Sequence, residues 1–552
     1  MSVQESRPDV QVEAAVNEDL QSAPFGNDSH RTPGQPGPAT ASSGSAADET
    51  EARAVREHLQ ELAGDPTPEI RSQLAEMANG HDNQARVAIV FAAANLNRFI
   101  YVHGLGWHYW KKSHWAIDKG DQRAQNAVLA TLRTLKHKAA DDRDGAQVRE
   151  LIGMEKASGV KGILQLAASQ PGISVDVEQL DADPYLFNCR NGVLDLHTLE
   201  LRKHDPRDLI TKVAGADYVP GHHDALWDDF LTQVLPRVSV REYFQRLGGL
   251  TLIGKVIEHI FPIAIGTGRS GKGVAYGAIM NALGDYGVTG APGLFEQVKT
   301  DPNAPSPAFA NLRGARFVVI SEMEEGTRLS ASVLKRLSGG DKLTARLLRK
   351  DPIEFEPSHT SLMVCNHLPG LPANDPAVWA RVRVIPFEVV IPKEDQDPHL
   401  PEKLELAASA VLTWLVDGLA AYLSMGMTEP PEVMTATDEY AAEQDDVLQF
   451  IEAECDTASA DGDTTTALLQ RYEMWADTEG IPRGLWLGRK RFGEALDRLG
   501  FPAVKTSKGK VRKGLSWIIP TAPGDDEELQ KRIAAAVSPR PDDPSGPIVF
   551  EG

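Results

Sequence analysis

The sequence predicts an α/β protein built on a parallel sheet, with a smaller α+β unit before it and a helical unit ending in a basic hairpin after it. Three observations carry that prediction. Between Phe261 and Phe387, short apolar runs alternate with helical periodicity, the pattern of strands joined by helical crossovers. The first run, Phe261-Pro-Ile-Ala-Ile265, leads into Gly266-Thr267-Gly268-Arg269-Ser270-Gly271-Lys272-Gly273 and then a helical pattern from Val274 to Leu283. After Pro430-Pro431 the spacing is helical as far as Gly500, and Val504–Ile519 then reads as two strands turning near Ser507-Lys508-Gly509.

Length and composition narrow the classes. At 552 residues and 41% hydrophobic content the chain has room for three or four packed domains. Cys189, Cys365 and Cys455 are scattered without a CxxC, which excludes a disulfide framework and a cysteine zinc site. No run of about 18 uncharged apolar residues occurs. The most apolar stretch, Leu404 to Met427, carries Asp417 and predicts a buried or amphipathic helix. Met1–Asn17 has no apolar signal core. A cytoplasmic protein with no membrane partner is expected. The net charge of −21 argues against a nucleic-acid partner as an average. The distribution argues otherwise, because residues 481–520 carry ten Lys and Arg against only Glu494 and Asp497. Salt screens over roughly 8–10 Å, so the local balance governs.

In chain order, residues 1–60 are rich in Ser, Pro, Gly, Ala and acid and cannot bury enough apolar surface to fold; 523–552 reads the same. An accessory unit is expected over 61–225. It holds an aromatic hairpin at Tyr101–Asp118 and a second strand block at Leu186–His204, with Asn191-Gly192 as its turn. His103, His108 and His114 in the first hairpin match no ligand spacing and read as ordinary histidines. Trp107, Trp110 and Trp115 could stack on bases, but packing is the simpler reading. Helices from Ala225 to Gly254 open the parallel-sheet unit, expected over 226–435, and the basic C-terminal unit spans 436–522.

Strand, glycine-rich loop and helix in that order are what a phosphate loop needs. Backbone N–H groups of Gly266 to Gly271, with Lys272, Gly273 and Val274 opening the helix, would surround nucleotide phosphates, and the helix dipole favours the anion. Lys272 would reach the β- and γ-phosphate oxygens. Gly273 departs from the pattern, standing where a Ser or Thr normally holds Mg2+.

Downstream, Arg316–Ile320 is an apolar run leading to Ser321, Glu322, Glu324 and Glu325. A carboxylate at such a strand end can hold Mg2+ or orient water, Glu322 first and Glu324 second; in isolation, a solvated acidic turn is the more common fate of such residues. Ser361–Cys365 ends in Asn366, placed to meet a γ-phosphate from the neighbouring strand. Arg381 and Arg383 lie two apart in an expected strand and so share a face. Arg381 is the candidate to reach a neighbouring subunit's γ-phosphate, and a surface ion pair is its plain alternative.

These segments, GTGRSGKG, LRGARFVVISEMEEG, LKRLSGGDKLTAR, SLMVCNHLP and DPAVWARVRVIPF, resemble in order the superfamily 3 helicase domain of the phage, plasmid and poxvirus primase-helicase family. FNCRNGVLDLHTLELRKHDPRDLITK resembles the block before that domain, and Asn97–Asp118 its accessory domain, so the likeness covers roughly residues 85–520. It implies an AAA+-like motor using ATP and Mg2+ at the interfaces of a ring, most often a hexamer, moving on single-stranded or forked DNA. Lys272 and Glu322 would match the two nucleotide motifs, Asn366 the sensor and Arg381 the trans-acting arginine. Lys342, Arg346, Arg349 and Lys350 would match a channel loop facing DNA, each being equally a solvated cation. Relatives often carry a primase before the motor. The stretch before residue 85 reads as too short for one, so primers would come from a separate primase or polymerase.

The C-terminal helices and basic hairpin predict a winged-helix DNA-binding module, a unit the family also carries at this place. Arg489, Lys490, Lys508, Lys510 and Arg512 are its candidate phosphate contacts. A DNA-binding scaffold with a degenerate ATPase and a remodeller of protein partners are the rival readings.

Overall fold

The computed structural model describes residues 67–291, 293–296, 307–321, 324, 326–345, 353–459, 462–506 and 509–518. The two ends expected not to fold lie outside them. Alternating aromatic residues at 101–118 do form a hairpin. Gly106–Trp110 pairs antiparallel with both Phe99–Val102 and Trp115–Ile117, and Ser174–Val175 adds a fourth strand. Alternation sends Trp107 and Trp115 to opposite faces, 4% and 2% exposed, each in its own apolar cluster. Packing therefore accounts for both. His103, His108 and His114 bond separately to Ser174, the Gly106 carbonyl and Ser113. Among the described residues no group of three His, Cys, Asp or Glu could hold a metal ion.

The second strand block is a three-stranded sheet, Leu186–Cys189, Gly192–Asp195 and Glu200–Arg202, but its first turn is Arg190-Asn191, one residue earlier than the expected Asn191-Gly192, because Gly192 already pairs with Cys189. One guanidinium fastens it to the rest. Buried Arg316 donates to the carbonyls of Pro184, Leu252 and Leu186 and lies over the Tyr286 ring at 4.8 Å. The helical stretch from Ala225 breaks near Pro236 into Ala225–Val234 and α1 (Val238–Leu250).

Five strands then form the central sheet: β1 (Phe261–Ile265), β2 (Gly287–Thr289), β3 (Phe317–Ile320), β4 (Thr360–Cys365) and β5 (Val382–Pro386). Their order is β5-β1-β4-β3-β2, and every neighbouring pair is parallel. Strands this apolar need cover on both faces. Ala264, Phe317, Val319, Leu362 and Ile385 point into one core, against α1, α2 (Lys272–Leu283) and α3 (Ala408–Met425). Ile263, Val318, Ile320, Met363 and Val384 point into the other. Helix α3 is long and apolar enough to cross a membrane by composition, but 56% of that window is buried here, as its interrupting Asp417 led one to expect. It lies tightly on α1: a Cβ at Gly249 would stand 2.1 Å from the Leu419 nitrogen, and one at Gly418 the same distance from the Gln245 carbonyl oxygen.

Two expected boundaries move. Pro431 starts a helix, Pro431–Glu443, because its fixed φ and missing N–H suit a first turn. That helix packs on β5, with Thr437 Oγ1 accepting from the Val384 N–H at 2.9 Å, so the parallel-sheet unit runs past residue 435. Strand β5 begins at Val382, leaving Arg381 in the turn before it rather than in the strand with Arg383.

The C-terminal unit packs Asp446–Glu454, α4 (Thr465–Thr478) and α5 (Arg489–Arg498) around Phe450, Tyr472, Phe492 and Leu496. A hairpin of β6 (Ala503–Thr506) and β7 (Gly509–Arg512) follows. Short strands Cys455–Asp456 and Ser516–Trp517 pair with each other, which two-residue runs could not announce.

Candidate functional site

At the C-terminal end of β1 the chain turns through Gly266–Gly271 into α2. The turn requires left-handed backbone at Arg269 (φ 67°) and Gly271 (φ 79°). Two glycines are also demanded by crowding: a Cβ would lie 2.3 Å from the Phe387 carbonyl oxygen at Gly266 and 2.4 Å from Val234 at Gly271. Phe387 N–H donates to Ile265 and Ile391 N–H to Arg269, so the chain leaving β5 walls one side of the loop. No side chain caps the N-terminus of α2, whose dipole and first-turn N–H groups are available to an anion.

Lys272 is 7% exposed and curls back over the loop. Its Nζ donates to the carbonyl of Gly266, to that of Thr267 at 3.2 Å, to Ser270 Oγ at 3.0 Å and to Asn366 Oδ1 at 3.3 Å. Burial holds its ammonium below the usual lysine range. Asn366 arrives there because β4 pairs in register with β1, Cys365 opposite Ile265, which sets it beside the loop's first residue. Two residues 94 positions apart in sequence are thus brought onto one point. Gly273, like Gly268 and unlike Gly266 and Gly271, is uncrowded: a Cβ there would meet only Tyr276 Cε1 at 4.0 Å.

Strand β3 lies next to β4 on the side away from β1. Glu322 lies outside the described residues; Glu324 is exposed, and its carbonyl accepts from the Thr327 N–H at 3.2 Å. Arg381 is at the opposite end of β1 from the loop, its carbonyl accepting from the Phe261 N–H at 2.6 Å. Five strand residues separate the two ends, roughly 15 Å. Arg381 donates to the Ala377 carbonyl at 2.7 Å and keeps a buried Nε without a partner. Arg383 is instead committed to Glu429. Arg381 cannot reach the loop of its own chain.

Among the expected DNA contacts, Lys342 is exposed where a short hairpin begins, Leu343–Ala345 with Ile353–Phe355. Arg346, Arg349 and Lys350 lie outside the described residues, as does Lys508. Arg489 and Lys490 are exposed in the first turn of α5, with Arg491 beside them, and Lys510 is exposed on β7 opposite Lys505. Arg512 is a correction. It is 4% exposed, and its guanidinium donates to Thr465 Oγ1, Asp497, the Phe501 carbonyl and the Gly493 carbonyl. All its donor sites face inward, so it fixes β7 against α5 and offers nothing to a phosphate. Exposed Arg491, Lys505 and Lys513 were present in the charge count but not singled out, since charge alone does not separate an outward residue from an inward one.

Comparison with known proteins bears on both halves of this arrangement. A family model described as D5 N terminal like matches residues 88–236, and one described as a family of unknown function (DUF5906) matches 264–381. A candidate helicase of Acanthamoeba polyphaga mimivirus is 28% identical over 50% of this chain and 31% of its own length. One of Invertebrate iridescent virus 6 is 25% identical over 60% of this chain and 38% of its own. The chain therefore spans about a third of the length of these viral relatives. The NrS-1 C-terminal region aligns with 78% of this chain and 99% of that one, at 11% identity and a TM-score of 0.43. Together the two family models and the viral relatives support a D5-like primase-helicase family for this chain.

Proposed function

We propose that the chain is an ATP-driven motor of DNA replication, an AAA+-like P-loop helicase that works as a ring. The observation that carries this reading is the convergence of Lys272 Nζ, the Gly266–Gly271 loop and Asn366 at the C-terminal edge of a parallel sheet. Ligands of open α/β sheets bind at that edge. Phosphates of ATP would replace the loop carbonyls as partners of Lys272, and Asn366 would meet the γ-phosphate or its water.

Mg2+ fits these residues only through carboxylates, because Gly273 supplies no hydroxyl. The ion would arrive on the nucleotide phosphates and be met by Glu322, with Glu324 second. Held there, the ion would supply neutralisation of negative charge on the phosphates. Arg381, too far from its own loop, would serve a neighbouring subunit, which makes hydrolysis depend on assembly.

DNA is assigned to the loop from Lys342 to Lys350 and to the C-terminal unit, read as a winged helix. Arg489, Lys490 and Arg491 support the second assignment physically. Cations in the first turn of a helix oppose its dipole, so their placement there is explained by an anionic partner.

The test is strand separation of a forked duplex by the purified chain with ATP and Mg2+. Unwinding that requires hydrolysable nucleotide supports the proposal; none in any assembly state sinks it. Gly273 favours one second reading, a DNA-binding initiator or scaffold with a weak ATPase, which predicts DNA binding without Mg2+-dependent turnover.

A further inference from the structure

Two helices precede the central sheet, Ala225–Val234 and α1. Phe230 and Val234 of the first face the phosphate loop, where a Cβ at Gly271 would stand 3.3 Å and 2.4 Å from them. On another side the pair bounds a cavity of about 370 Å³, floored by Leu231 and by Trp414 of α3. That volume falls within the roughly 300–1,000 Å³ of ligand sites. No residue of the phosphate loop lines it, nor do Lys272, Asn366 or Arg381.

The polar groups around the cavity are unevenly engaged. Its cations already have partners: Arg241 Nη1 donates to the Leu235 carbonyl at 2.7 Å, and His223 Nε2 lies 3.9 Å from Asp417. Gln245 Nε2 donates to the Trp414 carbonyl at 3.1 Å, which leaves the amide oxygen as an acceptor. Asp228 and Glu242, one on each helix, are exposed and have no hydrogen-bond or ion-pair partner among the described residues. The cavity therefore offers acceptors and negative charge beside an indole, surroundings that attract a cation. An arginine suits them better than a lysine. Its planar guanidinium can lie against a ring and donate to two carboxylates at once, while an ammonium is a compact point charge.

The shape selects how that cation is carried. Asp228, Thr232 and Glu242 are exposed walls, and Val238 beside them is 56% exposed, so the cavity is an open groove. A free small molecule would keep much of its surface in water there, whereas small-ligand sites cover most of theirs. A side chain projecting from a larger surface is covered from behind, and Val238 gives its apolar neighbour a place to rest. We propose that this groove docks an arginine of a partner polypeptide, its guanidinium against Trp414 and donating to Asp228 and Glu242, with an adjacent apolar residue on Val238.

Calorimetric titration of the full chain tests it with the capped peptide acetyl-Ala-Leu-Arg-Leu-Ala-amide, its lysine and citrulline counterparts, and spermidine. Citrulline keeps the shape of arginine and loses the charge. The arginine peptide is expected to bind with a dissociation constant below about 1 mM. It should bind at least about tenfold tighter than the citrulline peptide, and a few-fold tighter than the lysine peptide or spermidine. The double substitution Asp228→Asn with Glu242→Gln, at exposed positions, should lose about tenfold for the arginine peptide at an unchanged melting temperature. No binding of the arginine peptide at about 5 mM, equal affinity for the citrulline peptide, or unchanged affinity in the double variant would each overturn the groove. Spermidine held as tightly as the arginine peptide would make it a small-cation site. Weaker self-association of the double variant in sedimentation would make the occupant a second copy. Either result overturns the partner polypeptide.

Discussion

Lys272 spends its buried ammonium on three oxygens of its own loop and on Asn366, an arrangement that nucleotide phosphates would replace. Gly273 beside it is unconstrained, so a hydroxyl can be introduced there without a clash. Gly273→Ser is expected to fold as well as wild type and to reach half-maximal ATP turnover at several-fold lower Mg2+. An unchanged Mg2+ requirement would show that the hydroxyl position is not near the ion. A different residue makes the fold sensitive to acid. His359, just before β4, is 3% exposed with neither ring nitrogen bonded, and burial pushes its imidazole down to about 4. The unfolded chain takes up that proton near pH 6.5, so the native state is favoured fully above 6.5 and loses stability as pH falls toward 4. Between pH 7.5 and 5 the loss is about 2 kcal/mol. Urea midpoints at the two pH values measure it, and His359→Phe should remove that part of the difference; an equal difference in the variant would assign it elsewhere.

At the scale of elements, β1 and β3 were legible as unbroken apolar runs between polar turns, and β4 and β5 as mainly apolar ones, interrupted only by Thr360-Ser361 and by Arg383; such runs suit a sheet covered on both faces. β2 was not, being three partly exposed residues at the sheet's edge. The expected strand took in both Arg381 and Arg383, whereas β5 starts at Val382 and leaves Arg381 in the turn before it. The Lys272–Asn366 meeting was readable from the order of motifs, but its closeness is a product of strand register. Arg512 shows the limit of counting charge: sequence placed it on a basic hairpin, and packing turned it inward. The consequence is measurable in the salt dependence of DNA binding. Lys510→Ala should flatten the slope of log affinity against log salt by about one, as losing a phosphate contact does. Arg512→Met should lower the unfolding temperature and, where folded, leave the slope unchanged. A reduced slope in Arg512→Met would mean that it touches phosphate after all.

At the scale of the whole molecule, the loop and Arg381 stand at opposite ends of β1, so the proposed site would need two chains. Lys272→Ala and Arg381→Ala should each be inactive, the second by roughly 10³-fold if the arginine stabilises transition-state charge. Mixed together, they should recover turnover at least about fivefold above either alone, because some interfaces then pair an intact loop with an intact arginine. No recovery in verified mixed assemblies would place Arg381 outside the chemistry. Arg316, just before β3, links the strand block at Leu186–Arg202 to the sheet unit by donating to the carbonyls of Pro184 and Leu186 on one side and Leu252 on the other.

The most direct measurement of the central claim is steady-state ATP hydrolysis with and without single-stranded DNA, in wild type and Lys272→Ala. Turnover that DNA stimulates and the substitution abolishes is the predicted result. DNA binding that persists in both proteins, with no hydrolysis in either, would contradict the motor and leave the chain a DNA-binding scaffold.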